Sequence, residues 1–137
     1  MCNNSLIYMA TPNPAEVLAG GTLPLSTIVR RRSVSVQSQS DSIVLGTAGY
    51  YKLTATITFT ATAPAVVSIK AQKNGVDLVG IVGSETITTA TTETRTIALS
   101  GIVRVYCNDG VATITLVNDS DVSITTSNIS IDIEYLD

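Results

Sequence analysis

Hydrophobic and polar residues alternate with a period of two along most of the chain. The longest such run is GYYKLTATITFTATA, residues 49–63, where every second residue from Tyr51 is apolar and threonines fill nearly all positions between. Because successive side chains of a β-strand point to opposite faces, this run predicts a long strand with one face in a core. Its threonine face is left open: it can meet water, another sheet or another copy of the chain.

Turn residues separate further alternating segments. Asn74-Gly75 predicts a β-hairpin, because both residues tolerate positive φ. Breaks between strands are also predicted at Ser100-Gly101, at residues 108–110 and at residues 118–121.

Two segments carry weaker strand signals. Residues 10–26 contain three of the four prolines and a Gly-Gly pair, which predicts a loop or an extended segment. Residues 83–94 are rich in threonine and are predicted to form a loop or an edge. With roughly eight to ten strands and no amphipathic helix, the pattern predicts an all-β antiparallel sandwich or barrel. We expect one domain over residues 1–137, with residues 1–33 as an extended N-terminal segment that contributes to attachment or to contacts between copies.

The composition supports sheet and indicates a covered surface. Charged residues make up 14% of the chain, against about 25% in a typical soluble domain. A small monomer usually keeps its exterior charged, so the low charge indicates that a partner covers part of it. The net charge of −3 predicts no general attraction to nucleic acid or to an anionic membrane. The N-terminus has no signal-peptide pattern, so we expect synthesis in a cytoplasm.

The sequence offers little catalytic chemistry. It contains no histidine, which excludes a Ser-His-Asp triad and a Cys-His dyad. Asp132 and Glu134 share one face of the last predicted strand and form a carboxylate pair in principle, although a solvated strand face explains them as well. We therefore predict a protein that is not an enzyme, with no catalytic residue and no cofactor.

Metal and disulfide chemistry are predicted to be absent as well. Residues 118–121, NDSD, gather oxygen ligands, so calcium is an alternative, but Asn and Asp also dominate turns for local reasons. Cys2 and Cys107 are predicted to be free thiols, with a disulfide between them as the alternative. Two cysteines without histidine do not make the usual zinc site.

Arg30, Arg31 and Arg32 form the only basic cluster of the sequence. A solvated loop is one reading. The other is an attachment site, in which the arginines pair with acidic residues of a neighbouring copy or of a capsid surface. Nucleic acid is not the expected partner, because no aromatic residues are interleaved with the arginines.

The order of these signals resembles the jelly roll of the tumour-necrosis-factor (TNF) and complement-globular-head superfamily. The segments that carry the resemblance are SLIYM, LAGGTLPLSTIV, SIVLGTAGYYKLTATITF, KNGV, LSGIVRVYCNDGVATITLVN and NISIDIEYL. More narrowly, the chain is similar to short bacterial and bacteriophage members of that fold, which are trimeric modules of virion fibres and decorations. The resemblance implies a two-sheet jelly-roll sandwich that forms a homotrimer.

Tyrosine is the candidate residue for the contact between copies. Interfaces are enriched in tyrosine, and the chain has five of them, so Tyr51, Tyr106 and Tyr135 are the candidates for the trimer interface. The alternative is that they are core residues whose hydroxyl groups reach the rim.

The resemblance implies a structural protein of a bacteriophage virion or prophage: a head fibre, a capsid decoration or a tail-associated module that presents loops for adhesion. Such a chain would be made in the host cytoplasm and would end in the virion, in contact with capsid or tail proteins. The alternative is a receptor- or glycan-binding module of a bacterial or phage surface. Its candidate binding residues lie in two loops: Thr91, Thr92, Asn118, Asp119 and Asp121.

Overall fold

The protein is built from β-strands throughout the part that the structure, a computed structural model, describes: residues 5–32, 36–39 and 41–136. The strands are β1 (Leu6–Thr11), β2 (Ala15–Val17), β3 (Thr27–Arg32), β4 (Val36–Gln39), β5 (Ser42–Leu45), β6 (Gly49–Ala61), β7 (Ala65–Lys73), β8 (Val76–Ile87), β9 (Arg95–Val105), β10 (Ala112–Asn118) and β11 (Ile124–Leu136). No helix in these residues is long and apolar enough to cross a membrane.

The strands form two antiparallel sheets. Sheet A has the order β3-β1-β11-β6-β9, and β2 pairs with the first residues of β11. Sheet B has the order β4-β5-β10-β7-β8. Strands far apart in sequence therefore lie side by side, as β1 does with β11 and β10 with β5 and β7. This order confirms the predicted fold class, an all-β antiparallel two-sheet jelly-roll sandwich.

The described residues contain eleven strands instead of the eight to ten that the pattern predicts. The additional strands are short and lie before Ser42, where alternation is weak. β2 has only three residues and falls in the proline-containing segment that we expected to be a loop or extended. Such edge strands form because a neighbour offers hydrogen bonds, which the pattern of side chains does not reveal.

One predicted break is wrong. β9 runs without interruption from Arg95 to Val105, through Ser100 and Gly101. A Cβ atom on Gly101 would lie 2.5 Å from Cγ1 of Ile81 on β8, so this glycine makes room for the other sheet and does not turn the chain. The Asn74-Gly75 hairpin is confirmed, with φ of 53° and 82°, and strands also end at the two Asn/Asp segments.

The core lies between the inner faces of the two sheets. Leu53 and Ile57 of β6 and Ile131 of β11 are fully buried there, and each such side chain stabilises the fold by about 1.5–3 kcal/mol. The first apolar residue of the alternating run, Tyr51, is also fully buried in its own chain. The prediction that Tyr51 belongs to a trimer interface is therefore wrong, because its side chain has no surface left for a second copy.

Candidate functional site

The threonines of β6 point out of the sandwich and form, with β9 and β11, a surface that we call the outer face of sheet A. Cross-strand pairing arranges its centre in rows, of which two are Ser130, Thr56, Ala98 and Asp132, Thr54, Ser100. Thr56 and Ser130 share a hydrogen bond of 2.7 Å between their hydroxyl groups. The row of Ser130, Thr56 and Ala98 thus carries short, uncharged side chains whose polar groups are partly satisfied by one another, whereas the next row brings in the carboxyl group of Asp132.

Charged residues gather at one end of the same face. Glu134 pairs across the strands with Lys52, one row from Asp132. The Oδ1 atom of Asp132 is buried and has no hydrogen-bond partner among the described residues. Burial raises the pKa of Asp132, the charge of Glu134 raises it further, and Lys52 opposes both. In the isolated chain, Asp132 Oδ1 is therefore a hydrogen-bond acceptor without a donor, and its burial lowers the stability of the fold.

The predicted attachment arginines lie on β3, the edge strand of sheet A. Their cross-strand partners on β1 are, in register, Arg30 with Tyr8, Arg31 with Ile7 and Arg32 with Leu6. All three arginines are exposed. Arg30 lines a cleft of about 360 Å³ together with Asp132 and Glu134. Their role in attachment stays a prediction.

The two loops predicted for binding lie at one end of the sandwich. The amide of Thr91 donates to the carbonyl of Ala61, the last residue of β6, at 2.9 Å. The amide of Thr62, which follows Ala61, donates to the carbonyl of Ser123 at 3.1 Å. The loops after β8 and after β10 therefore meet at the C-terminal end of β6. Thr92 and Asp121 are exposed there.

Asn118 does not belong to a binding surface, which corrects its prediction. Its side chain is buried, and its amide donates to the carbonyls of Val17, Leu18 and Val122 at 3.3, 3.2 and 3.0 Å. The oxygen of the same amide accepts hydrogen bonds from the backbone and hydroxyl of Ser120. Asn118 thus ties the segment after β2 to the loop before β11.

The neighbouring Asp119 is engaged as well. It forms an ion pair of 3.3 Å with Lys70, which also pairs with Asp77 at 3.1 Å. Hydrogen bonding to Asp77 raises the pKa of Lys70, and Asp119 adds to the effect. Among residues 5–32, 36–39 and 41–136, no group of three or more His, Cys, Asp or Glu side chains comes together in a way that could hold a metal ion.

The threonine-rich loop is organised by Glu93. Its Oε1 accepts from the amides of Thr88 and Thr89, both at 3.0 Å, and from the Thr88 hydroxyl at 2.7 Å. Its Oε2 accepts from Arg95 Nε at 2.7 Å. These donors, led by the Thr88 hydroxyl and Arg95, lower the pKa of Glu93 to about 2.

A cluster of tyrosine and arginine side chains at the opposite end of the sandwich is missed by the sequence analysis. The Arg104 guanidinium lies 5.1 Å from the ring centre of Tyr50 and 4.5 Å from that of Tyr106. Tyr106, a predicted interface residue, is 48% exposed, as is Tyr50. Tyr50 and Arg104 both occupy positions of the alternating pattern that point away from the core. An aromatic residue and a cation at such positions were the sequence feature that could have predicted the cluster.

The remaining residues singled out in the sequence are one tyrosine and the two cysteines. Tyr135 is partly buried and packs against the core, so its role between copies stays a prediction. Cys107 is a free, exposed thiol. Cys2 lies outside the described residues.

Comparison with known proteins identifies the fold. No family model matches the chain, and no curated protein matches its sequence. Among solved structures, Eiger TNF from S. frugiperda is 8% identical with a TM-score of 0.73, covering 98% of this chain and 92% of its own. The globular domain of zebrafish complement 1qA protein is 5% identical with a TM-score of 0.62, covering 93% and 94%. The chain has the TNF/complement-globular-head jelly-roll fold.

A phage protein shares this TNF-like jelly roll. The PRD1 vertex protein P5 is 17% identical to the chain, with a TM-score of 0.59, and the match covers 97% of both chains. At such identities the likeness concerns the fold alone. The surfaces of this TNF-like jelly roll must therefore be interpreted from its own residues.

Proposed function

We propose that the chain is a non-enzymatic structural protein of a bacteriophage virion or prophage, which assembles as a homotrimer and presents its loops for adhesion. The observation that carries the proposal is the outer face of sheet A. It lies on the longest strand pair of the fold, and its half from Thr125–Thr60 to Ser130–Thr56 carries no charged side chain. A water-exposed sheet face of this length usually carries charge, which keeps a protein monomeric.

The chain also offers a second surface to meet that face. A ring of three copies needs two different complementary patches on each copy, because its contacts are heterologous. Val79 is fully exposed and Val82 is 51% exposed on β8, the edge strand of sheet B. Ile102, 54% exposed, is opposite Lys52 and belongs to the outer face of sheet A itself, on the strand next to β8. In the proposed trimer the exposed valines of β8 of one copy pack against the outer face of sheet A of the next.

Two further observations support a place in a virion. The similar fold of the PRD1 vertex protein P5 shows that a phage particle uses such a jelly roll. The exposed arginines of β3 offer a basic edge for an acidic capsid or tail surface. Head fibre, capsid decoration and tail-associated module all fit this description.

Light scattering behind a sizing column tests the trimer. The wild-type chain should give three times its mass of 14.3 kDa. Ala98→Arg places a long cation beside Thr56 on the uncharged part of the outer face and should give the mass of one folded chain. Thr115→Arg, on the outward side of β10 in sheet B, is the matched control and should remain trimeric. A wild-type mass of one chain would contradict the trimer.

The virion part needs its own measurement. Particles purified from the host that encodes the chain should contain it, as detected by mass spectrometry after banding in a density gradient. Recovery of the chain only in the particle-free lysate would contradict a virion protein, whatever its oligomeric state.

The second candidate function, a receptor- or glycan-binding module, is favoured by the cluster of Arg104, Tyr50 and Tyr106. Exposed aromatic rings beside a cation are typical of binding surfaces. The two functions are compatible, because a virion module can carry a binding site.

A further inference from the structure

An open cleft lies at the end of the sandwich where β6 begins and β9 ends. It has a volume of about 470 Å³ and is lined by residues 48–50 and 104–108. This volume falls within the range of small-ligand sites, roughly 300–1,000 Å³. The cleft lies at the opposite end of the molecule from the two predicted binding loops, since it borders the first residues of β6 and those loops border its last.

The cleft contains a cation without a counter-ion. The ion pairs among the described residues involve Lys70, Lys73 and Arg95, and none includes Arg104. Arg104 instead lies against the rings of Tyr50 and Tyr106. Its neighbour Lys73 is occupied, because its Nζ pairs with Asp109 at 3.2 Å and donates to the backbone carbonyl of Arg104 at 2.9 Å.

The walls of the cleft are held in place before any ligand arrives. Tyr50 is paired with Arg104 in the β6–β9 ladder. Asp109 Oδ2 accepts from the amide of Tyr106 at 2.9 Å, and the amide of Asp109 donates back to the carbonyl of Tyr106 at 3.0 Å. The Tyr106 amide and Lys73 together lower the pKa of Asp109, so its carboxylate stays charged near neutral pH and keeps its hydrogen bond to Tyr106. A preformed site loses little conformational entropy on binding.

The chemistry of these groups selects a ligand class. A guanidinium offers a planar fork of donors that matches a carboxylate, and exposed tyrosine rings offer flat faces for an apolar surface. A pyranose ring that carries a carboxylate presents both features on one small molecule. The net charge of −3 excludes a merely general attraction of anions to the protein.

We propose that this cleft binds an acidic sugar, whose carboxylate is held by Arg104 and whose ring packs against Tyr106 and Tyr50. The inference goes beyond the structural function proposed above. It does not depend on the trimer, but it requires the cleft to remain open in whatever assembly forms.

Cys107 provides a reporter inside the cleft, because this exposed thiol lies in its lining. In a Cys2→Ser background, alkylation of Cys107 by a maleimide is followed by mass spectrometry. The probes are glucuronic acid and N-acetylneuraminic acid, with glucose as the neutral control and acetate as the charge control. The two acidic sugars should slow alkylation in a saturable manner at millimolar concentration, whereas glucose and acetate should not.

Variants assign the effect to the proposed residues. Arg104→Gln should weaken binding at least about tenfold, because it removes a charge-assisted hydrogen-bond pair. Tyr106→Ala should weaken it by a similar factor. Arg30→Gln, an exposed arginine on the opposite edge of sheet A, is the control and should bind as the wild type does. Circular dichroism confirms that each variant retains its fold.

Three outcomes would overturn the inference. Equal protection by acetate would mean a simple anion site without a sugar. No protection by either acidic sugar at tens of millimolar would mean no site of useful affinity. A Cys107 that reacts in the monomeric Ala98→Arg chain but not in the assembled wild type would mean that another copy covers the cleft. Failure of the trimer appears separately, as a single-chain mass with the protection intact.

Discussion

Tyr51 and Tyr135 face each other across β6 and β11, and their rings meet edge to face with centroids 5.3 Å apart. The hydroxyl of Tyr51 continues past this contact and donates to the carbonyl of Thr47 at 2.6 Å. Gly49 completes the arrangement, because a Cβ atom there would lie 2.5 Å from Cε1 of Tyr135. Two tyrosines that the sequence suggested as contacts between copies thus close one end of the chain's own core.

This arrangement makes the stability depend on alkaline pH. Burial raises the pKa of Tyr51 above its ordinary value of 10.0, and Tyr135 adds to the effect. The folded chain then keeps a proton that the unfolded chain loses, so the free energy of unfolding falls as pH rises above about 10. Tyr51→Phe should remove this dependence. It should also cost about 1 kcal/mol at neutral pH, because the Thr47 carbonyl loses its donor.

Urea midpoints at about pH 8 and about pH 11 measure both effects. Tyr135→Phe keeps both rings and is the control, expected to retain the larger part of the alkaline loss, which comes from the burial of Tyr51. An identical alkaline loss in Tyr51→Phe would assign the effect to other groups.

Replacing the Asn118 amide with a carboxylate should destabilise the fold. Asn118→Asp preserves shape but replaces three donated hydrogen bonds with a buried charge that faces three carbonyl oxygens. The expected cost is about 3 kcal/mol at neutral pH, smaller below about pH 4, where the new side chain is protonated. Denaturant unfolding checks this, with Asp119→Asn expected to cost at most about 1 kcal/mol. Equal costs for the two variants would contradict the structural role of Asn118.

The loop of residues 88–94 should loosen in acid. The lowered pKa of Glu93 means that its contribution is complete above about 4.5 and is lost as pH falls toward about 2. The amide signals of Thr88 and Thr89 should therefore titrate by NMR with a midpoint near 2. Glu93→Gln should abolish that titration, while Glu85→Gln should leave it unchanged. A midpoint near 4.5 in the wild type would show that Glu93 does not accept these hydrogen bonds from Thr88 and Thr89.

The sequence predicts the sheets better than the sites, for a physical reason. Burial acts on every second residue, so the long alternation from Tyr51 reveals both the strand and its core face. A site depends on which residues of distant strands become neighbours, as Tyr50 and Arg104 do through the β6–β9 register. Asn118 shows the same limit, since its three acceptors lie on two separate segments. Local composition predicted a turn there, correctly, but not a buried side chain.

Gly101 illustrates how packing overrides a local signal. Gly101→Ala should cost about 1–3 kcal/mol, because the added Cβ atom meets the side chain of Ile81 on the other sheet. The double variant with Ile81→Ala should lose less than the sum of the two single variants, a coupling that thermal or urea unfolding measures. Gly75→Ala, at a position with open space but positive φ, separates backbone strain from this clash. Additive losses would mean that Gly101 and Ile81 do not compete for space.

Asp132 distinguishes the isolated chain from the assembly. Its raised pKa means that the folded chain holds the proton more tightly, so ionisation of Asp132 costs stability as pH rises above 3.8. In the monomeric Ala98→Arg chain, Asp132→Asn should therefore raise the urea midpoint at neutral pH and change little below 3.8. Glu134→Gln should give a smaller gain, because Glu134 acts on Asp132 only through its charge. A lower midpoint for Asp132→Asn in that monomer would show that the Asp132 carboxylate stabilises the single chain, and the outer face of sheet A would then have no unsatisfied acceptor to offer a second copy.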